Sequence, residues 1–194
     1  MSDRPSIQPR GDRLISTAMQ TTSQTTSKVL PVIPETRSDL RRLITQGQTL
    51  GFRRPFIDVL ADLSKPLPWA FINWLEKKDK KSGKLNYIPY LHWYDCNLIL
   101  DYISPGWTGQ LIHMPQGSRY VLGYEITLLC EEGPISRAST GDEALEGTQF
   151  GSSNTNSESQ AFRRACCRFG LGLYLYDPGV KRALVSRHVK EKGS

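Results

Sequence analysis

Arg163, Arg164 and Arg168 are the side chains in this sequence whose spacing best suits chemistry, and the chemistry is charge neutralisation. They lie in the run Ser157-Glu158-Ser159-Gln160-Ala161-Phe162-Arg163-Arg164-Ala165-Cys166-Cys167-Arg168-Phe169-Gly170. Read as a helix, that run puts Phe162, Ala165, Cys166 and Phe169 on one apolar stripe, at the spacing i, i+3, i+4, i+7. Arg164 and Arg168 then share the opposite face, with Arg163 on the flank between. Thr155 followed by Glu158 predicts a capping box at the start, and Gly170 predicts the left-handed residue that ends a helix. A helix anchored by two phenylalanines and carrying three arginines holds positive charge rigidly against a polyanion. Nucleic acid is the partner this implies.

The charge distribution agrees. The chain has 194 residues, 25 Lys and Arg against 19 Asp and Glu, and a net charge of +6. From Gln160 to Ser194 there are eight basic residues and two acidic ones, which carries the whole net charge. The preceding 159 residues are balanced. Such polarity predicts a defined polyanion site rather than a uniformly basic surface.

Other chemistries lack their residues. Cys96, Cys130, Cys166 and Cys167 form no C-x-x-C pair, and His92, His113 and His188 are scattered, so neither a disulfide framework nor a metal site is expected. Reduced, intracellular thiols fit better. Glu131, Glu132, Asp142 and Glu143 are the only carboxylates that invite a nuclease reading, and Glu131-Glu132-Gly133 suits a turn instead. No catalytic residue, cofactor or metal is therefore expected. No apolar run reaches membrane-spanning length, so no membrane partner is expected either.

The elements that must position the arginines can be read along the chain. Residues 1–36 are rich in Ser, Thr, Gln and Pro and read as a disordered leader, 37–180 as one folded domain, and 181–194 as a basic C-terminal tail. Ser38 to Gln46 reads as a short basic helix, and Phe56, Val59, Leu60 and Leu63 mark a helix behind Pro55. Strands are predicted near Phe71–Lys77 and Lys84–Ile88, joined by the turn Lys78-Asp79-Lys80-Lys81-Ser82-Gly83. Tyr90 to Ile103 reads as a helix with Leu91, Tyr94, Leu98 and Tyr102 inward. A meander follows, over Trp107–Met114, Arg119–Glu131 and Ile135–Thr140, its long strand alternating through Tyr120, Leu122, Tyr124, Ile126, Leu128 and Cys130. Gly141 to Asn156 is predicted to be a flexible link to the arginine helix. The fold class is α+β: an antiparallel β-β-β-α core, a meander followed by a long basic helix, preceded by helix–hairpin–helix.

This order, with its motifs, resembles the RAD52-type single-strand annealing proteins from about Phe56 to Asp177. The resemblance rests on Leu63-Ser64-Lys65-Pro66-Leu67-Pro68, Leu85-Asn86-Tyr87-Ile88, Gly106-Trp107, the helix Ala161–Gly170 and Leu175-Tyr176-Asp177. The run Ala-Phe-Arg-Arg-Ala-Cys-x-Arg-Phe-Gly-Leu-Gly-Leu is most similar to the short bacterial and plant-organellar branch. The resemblance implies a homo-oligomeric ring that carries single-stranded DNA in a basic outer groove and pairs complementary strands without ATP. Of the basic residues that the family places on its last core helix, two fall on Arg163 and Arg164. The third falls on Cys167, a departure for which neighbouring Arg168 could compensate. A further basic position falls near His92, and Arg119 sits where the family has a lysine serving a second DNA site. Lys81 and Lys84 join the candidates from the basic hairpin turn.

The expected function is thus binding and annealing of single-stranded DNA in recombinational repair, with RNA as a second ligand for the same groove. The alternative is protection of single strands without pairing. The partner-binding tail of the larger eukaryotic relatives is missing, which leaves a recombinase partner open. A bacterial cytoplasm, at the nucleoid, is the expected location, with a plastid or mitochondrion as the alternative.

Overall fold

The computed structural model describes residues 33–80, 82–116, 119–144 and 153–193. Its elements run α1 (Arg37–Thr45), α2 (Phe56–Leu63), β1 (Asn73–Lys78), β2 (Leu85–Tyr90), α3 (Trp93–Ile103), β3 (Thr108–Gln116), β4 (Arg119–Cys130), β5 (Gly133–Ala144), α4 (Ser153–Arg168) and α5 (Pro178–Lys192). β1 and β2 make a separate antiparallel hairpin, and β3-β4-β5 form an antiparallel meander in that order. The α+β class and the meander-then-helix core are as the sequence predicts.

The meander is built on alternation. Leu122, Ile126, Leu128 and Cys130 of β4 are buried on one face, and the last three share a core with Phe162, Ala165 and Cys166 of α4 and with Phe169 just beyond it. The Phe162 ring meets Tyr124 edge-on at 5.0 Å and Trp107 at 5.8 Å, while Phe169 meets Phe56 edge-on at 6.4 Å. Burying each phenylalanine contributes roughly 1.5–3 kcal/mol, which fixes the face that α4 turns inward. Close approach of α4 to β5 depends on Gly141, where an added Cβ would sit 2.1 Å from the Ser157 carbonyl oxygen. Gly170 adopts φ +95° and ends the helix, as its position after Phe169 predicts.

Several local expectations change. α4 begins at Ser153, so Thr155 lies inside the helix and the Thr155–Glu158 capping box is not its start. β5 runs on to Ala144, which makes strand of the first part of the predicted flexible link. In α3 the buried positions are Asp95, Cys96, Ile99, Leu100, Tyr102 and Ile103, whereas Tyr94 is exposed. The helix starts at Trp93, three residues later than Tyr90, so Leu91 precedes it, and the inward face centres on Cys96, Ile99, Leu100 and Ile103. Asp95 can be buried because Arg37 of α1 grips both its oxygens at 2.6 and 2.8 Å. The chain is already folded at residue 33: Ile33 is buried in the core, and the Thr36 hydroxyl accepts the Asp39 N–H at 3.1 Å to cap α1. Residues 1–32 of the predicted leader lie outside the described residues.

Residues 181–192, predicted as part of a tail, form most of α5, which packs along the back of the hairpin. Its His188 ring stacks on Trp74 at 4.0 Å, Arg187 lies 4.1 Å over Trp69, and Lys192 pairs with Glu76. Asp177 caps α5, accepting the backbone N–H groups of Gly179 and Val180 at 2.7 and 2.9 Å.

Candidate nucleic-acid interface

Period-two alternation gives the β1–β2 hairpin two faces. Trp74, Glu76 and Tyr87 turn toward α5, whereas Leu75, Lys77, Ile88 and Tyr90 turn toward α4. Between hairpin and α4 runs a groove of about 740 Å³. Its hairpin wall offers Lys77 and Tyr90, its helix wall Asn156, Gln160, Arg163 and Arg164, and its far end Tyr176 and Lys181. Among the described residues, four cations line it and none of the lining residues is acidic. A cleft of one sign with apolar walls focuses the potential of its charges on whatever enters.

The individual side chains differ in what they can do. Arg164 is exposed, lines the groove, and donates to the Thr140 carbonyl of β5 at 2.8 Å. Arg163 is half-buried, donating to the carbonyls of Ser159 at 3.0 Å and Leu91 at 3.3 Å, with its carbon 5.5 Å over the Tyr90 ring. Tyr176 is 65% exposed and offers a ring at the mouth. Cys167 lines the floor, and burial pushes its thiol up to about 11, so it is neutral at physiological pH. The floor therefore has an uncharged stretch between its cations.

The structure brings Arg163 and Arg164 to one groove, while Arg168, His92 and Lys84 are not among its lining residues. Arg168 is exposed at the end of α4 and does not line the groove; its carbonyl accepts a hydrogen bond from Arg137 of β5. His92 lies just before α3, stacked 4.7 Å from Tyr94 and edge-on 5.0 Å from Tyr90. Burial lowers its pKa, so it joins an aromatic cluster as a neutral ring rather than as a cation. Lys84 is exposed at the hairpin tip, outside the groove lining, and Lys81 lies outside the described residues. Arg119 opens β4, opposite Gln116 and Ala144, in the separate three-stranded sheet.

Residues missed at first reading also line the groove. Lys181 opens the predicted basic tail, Tyr90 opens the predicted helix Tyr90–Ile103, and Tyr176 stands in the motif Leu175-Tyr176-Asp177. Lys77 could have been singled out from the hairpin's lysines by alternation, since it shares a face with Leu75 while Trp74 and Glu76 take the other. Glu132, one of the carboxylates considered for a nuclease, instead accepts the Phe56 N–H at 2.9 Å at the start of α2. Among the described residues, no three His, Cys, Asp or Glu side chains gather to hold a metal ion.

The chain is similar in sequence to known proteins. The chain is 33% identical over 144 residues to "DNA repair RAD52-like protein 1, mitochondrial" of Arabidopsis thaliana, a match covering 71% of this chain and 78% of the relative. The chain belongs to the RAD52-like family. A second RAD52-like relative, "DNA repair RAD52-like protein 2, chloroplastic" of the same plant, is 33% identical over 125 residues, covering 63% of this chain and 61% of the relative. No protein-family model matches the chain.

Proposed function

We propose that the protein binds single-stranded DNA in the groove between the β1–β2 hairpin and α4 and anneals complementary strands without ATP, in recombinational DNA repair. The observation that carries this reading is the groove's lining among the described residues: four cations, no acid, and tyrosines at its wall and mouth. Annealing requires phosphates to be neutralised while base edges stay free to pair, so cations should outnumber groups that read bases. Both relatives are named for DNA repair, which supports the process.

Self-association as a ring belongs to the same proposal. β3 and β5 are the edges of the meander, and an edge strand carries unpaired backbone groups that a neighbouring subunit can cover. One subunit's four cations bind weakly, and copies arranged along one strand add their contributions. The relatives are named as a mitochondrial and a chloroplastic protein, and on that ground we favour the organellar alternative for this chain.

The test is the pairing of two complementary oligonucleotides, one fluorescently labelled, without ATP or divalent metal, with sedimentation at the same concentration. The expected result is accelerated pairing by an oligomer. Tight single-strand binding with pairing no faster than the spontaneous rate would establish the protective alternative instead.

A further inference from the structure

We propose that Arg163 is a positioning residue that ties the two walls of the groove together, while Arg164, Lys77 and Lys181 meet the phosphates. This rests on the groove being the single-strand site and assigns separate tasks within it. Arg163 lies on α4, and the carbonyls it holds belong to two different elements: Ser159 one turn back on α4, and Leu91 at the hinge between β2 and α3. Its guanidinium carbon also lies 5.5 Å over the ring of Tyr90, the last residue of β2. The same hinge is gripped from the other side. Gly172, at φ +70°, leaves room for Leu91, and an added Cβ there would sit 2.8 Å from the Leu91 side chain.

Arg163 thus fastens the end of the hairpin wall to the helix wall across the floor of the groove. Arg164 makes one hydrogen bond, to Thr140, and stays exposed. The two neighbours look alike in sequence and differ in work. A planar guanidinium can serve two carbonyls and cover a ring at once, whereas an ammonium is a point charge on a flexible stem. Lysine should therefore replace Arg164 and fail to replace Arg163.

The experiment uses four full-chain variants, R163K, R163A, R164K and R164A. It reads binding of a labelled oligothymidine, thermal melting, and hydrogen exchange by peptide. R164K should bind within roughly twofold of the parent and R164A clearly more weakly, as expected for a phosphate counter-charge. R163K should lose about tenfold in affinity, as much as R163A, despite its retained charge. Both Arg163 variants should exchange faster over residues 85–92 and keep the protection of β3 to β5. Parent-like binding by R163K beside an impaired R164A would overturn the positioning role and leave the groove intact. Weak binding by R163K with unchanged exchange at 85–92, or with protection lost throughout, would overturn it too. If none of the four variants alters binding, the groove reading itself fails.

Discussion

Arg164 and Arg168 are one helical turn apart and equally exposed, yet only Arg164 lines the groove. Arg164→Ala should weaken single-strand binding about equally for all sequences and make the salt dependence shallower by about 0.7 in log–log slope, one phosphate's worth. Arg168→Ala should leave both quantities near the parent's, and both variants should melt normally, since neither removes buried surface. Salt titrations of oligonucleotide binding beside thermal melts check this. A second residue-scale outcome concerns pH. Burial lowers the pKa of His92, with Arg37 and Arg163 adding to the effect and Asp95 opposing it. The unfolded chain therefore takes up this proton more readily than the folded one. The contribution to stability is fully present above the ordinary histidine pKa of about 6.5 and is lost as pH falls through the lowered folded value. His92→Gln should flatten that decline, seen as a smaller drop in Tm between pH 8 and pH 5 than the parent shows.

At the scale of elements, the contact between α4 and β5 depends on backbone approach as much as on the phenylalanine stripe. Gly141→Ala would push a methyl group against the Ser157 carbonyl, and backbone cannot yield as a side-chain tip can. The expected cost is about 3 kcal/mol, at the upper end for overpacking, read as a lower denaturant midpoint with an unchanged slope. What the sequence revealed of the elements follows the same division. Periodicity is local, so α2, the long strand β4 and the buried face of α4 could be read directly. Contacts between distant residues leave no periodic trace. The burial of Asp95 depends on Arg37, 58 residues away, and the capping of α2 depends on Glu132, 76 residues from Phe56. α5 looked like a solvated tail because it has no buried residue and no apolar stripe. It docks mainly through polar side chains of its own, His188 stacked on Trp74, Arg187 over the Trp69 indole and Lys192 paired with Glu76, with Leu184 partly buried against the core.

Across the whole molecule, the groove collects cations from three elements that are far apart in sequence, Lys77 on β1, Arg163 and Arg164 on α4, and Lys181 on α5. Charge polarity pointed to the segment from Gln160 to Ser194, and that segment supplies three of the four. It could not reveal that the hairpin would bring Lys77 to meet them, nor that Arg168 and Lys84 would stand outside, because that depends on how the hairpin packs between α4 and α5. The central claim is that a single strand lies in this groove. Photo-crosslinking of an oligonucleotide containing 4-thiothymidine to the full-length protein, with the attached peptides identified by mass spectrometry, tests it most directly. The account predicts adducts within residues 75–77, 88–91, 156–167 and 172–181. Adducts confined to β3, β4 and the hairpin tip, with none in those four segments, would contradict it.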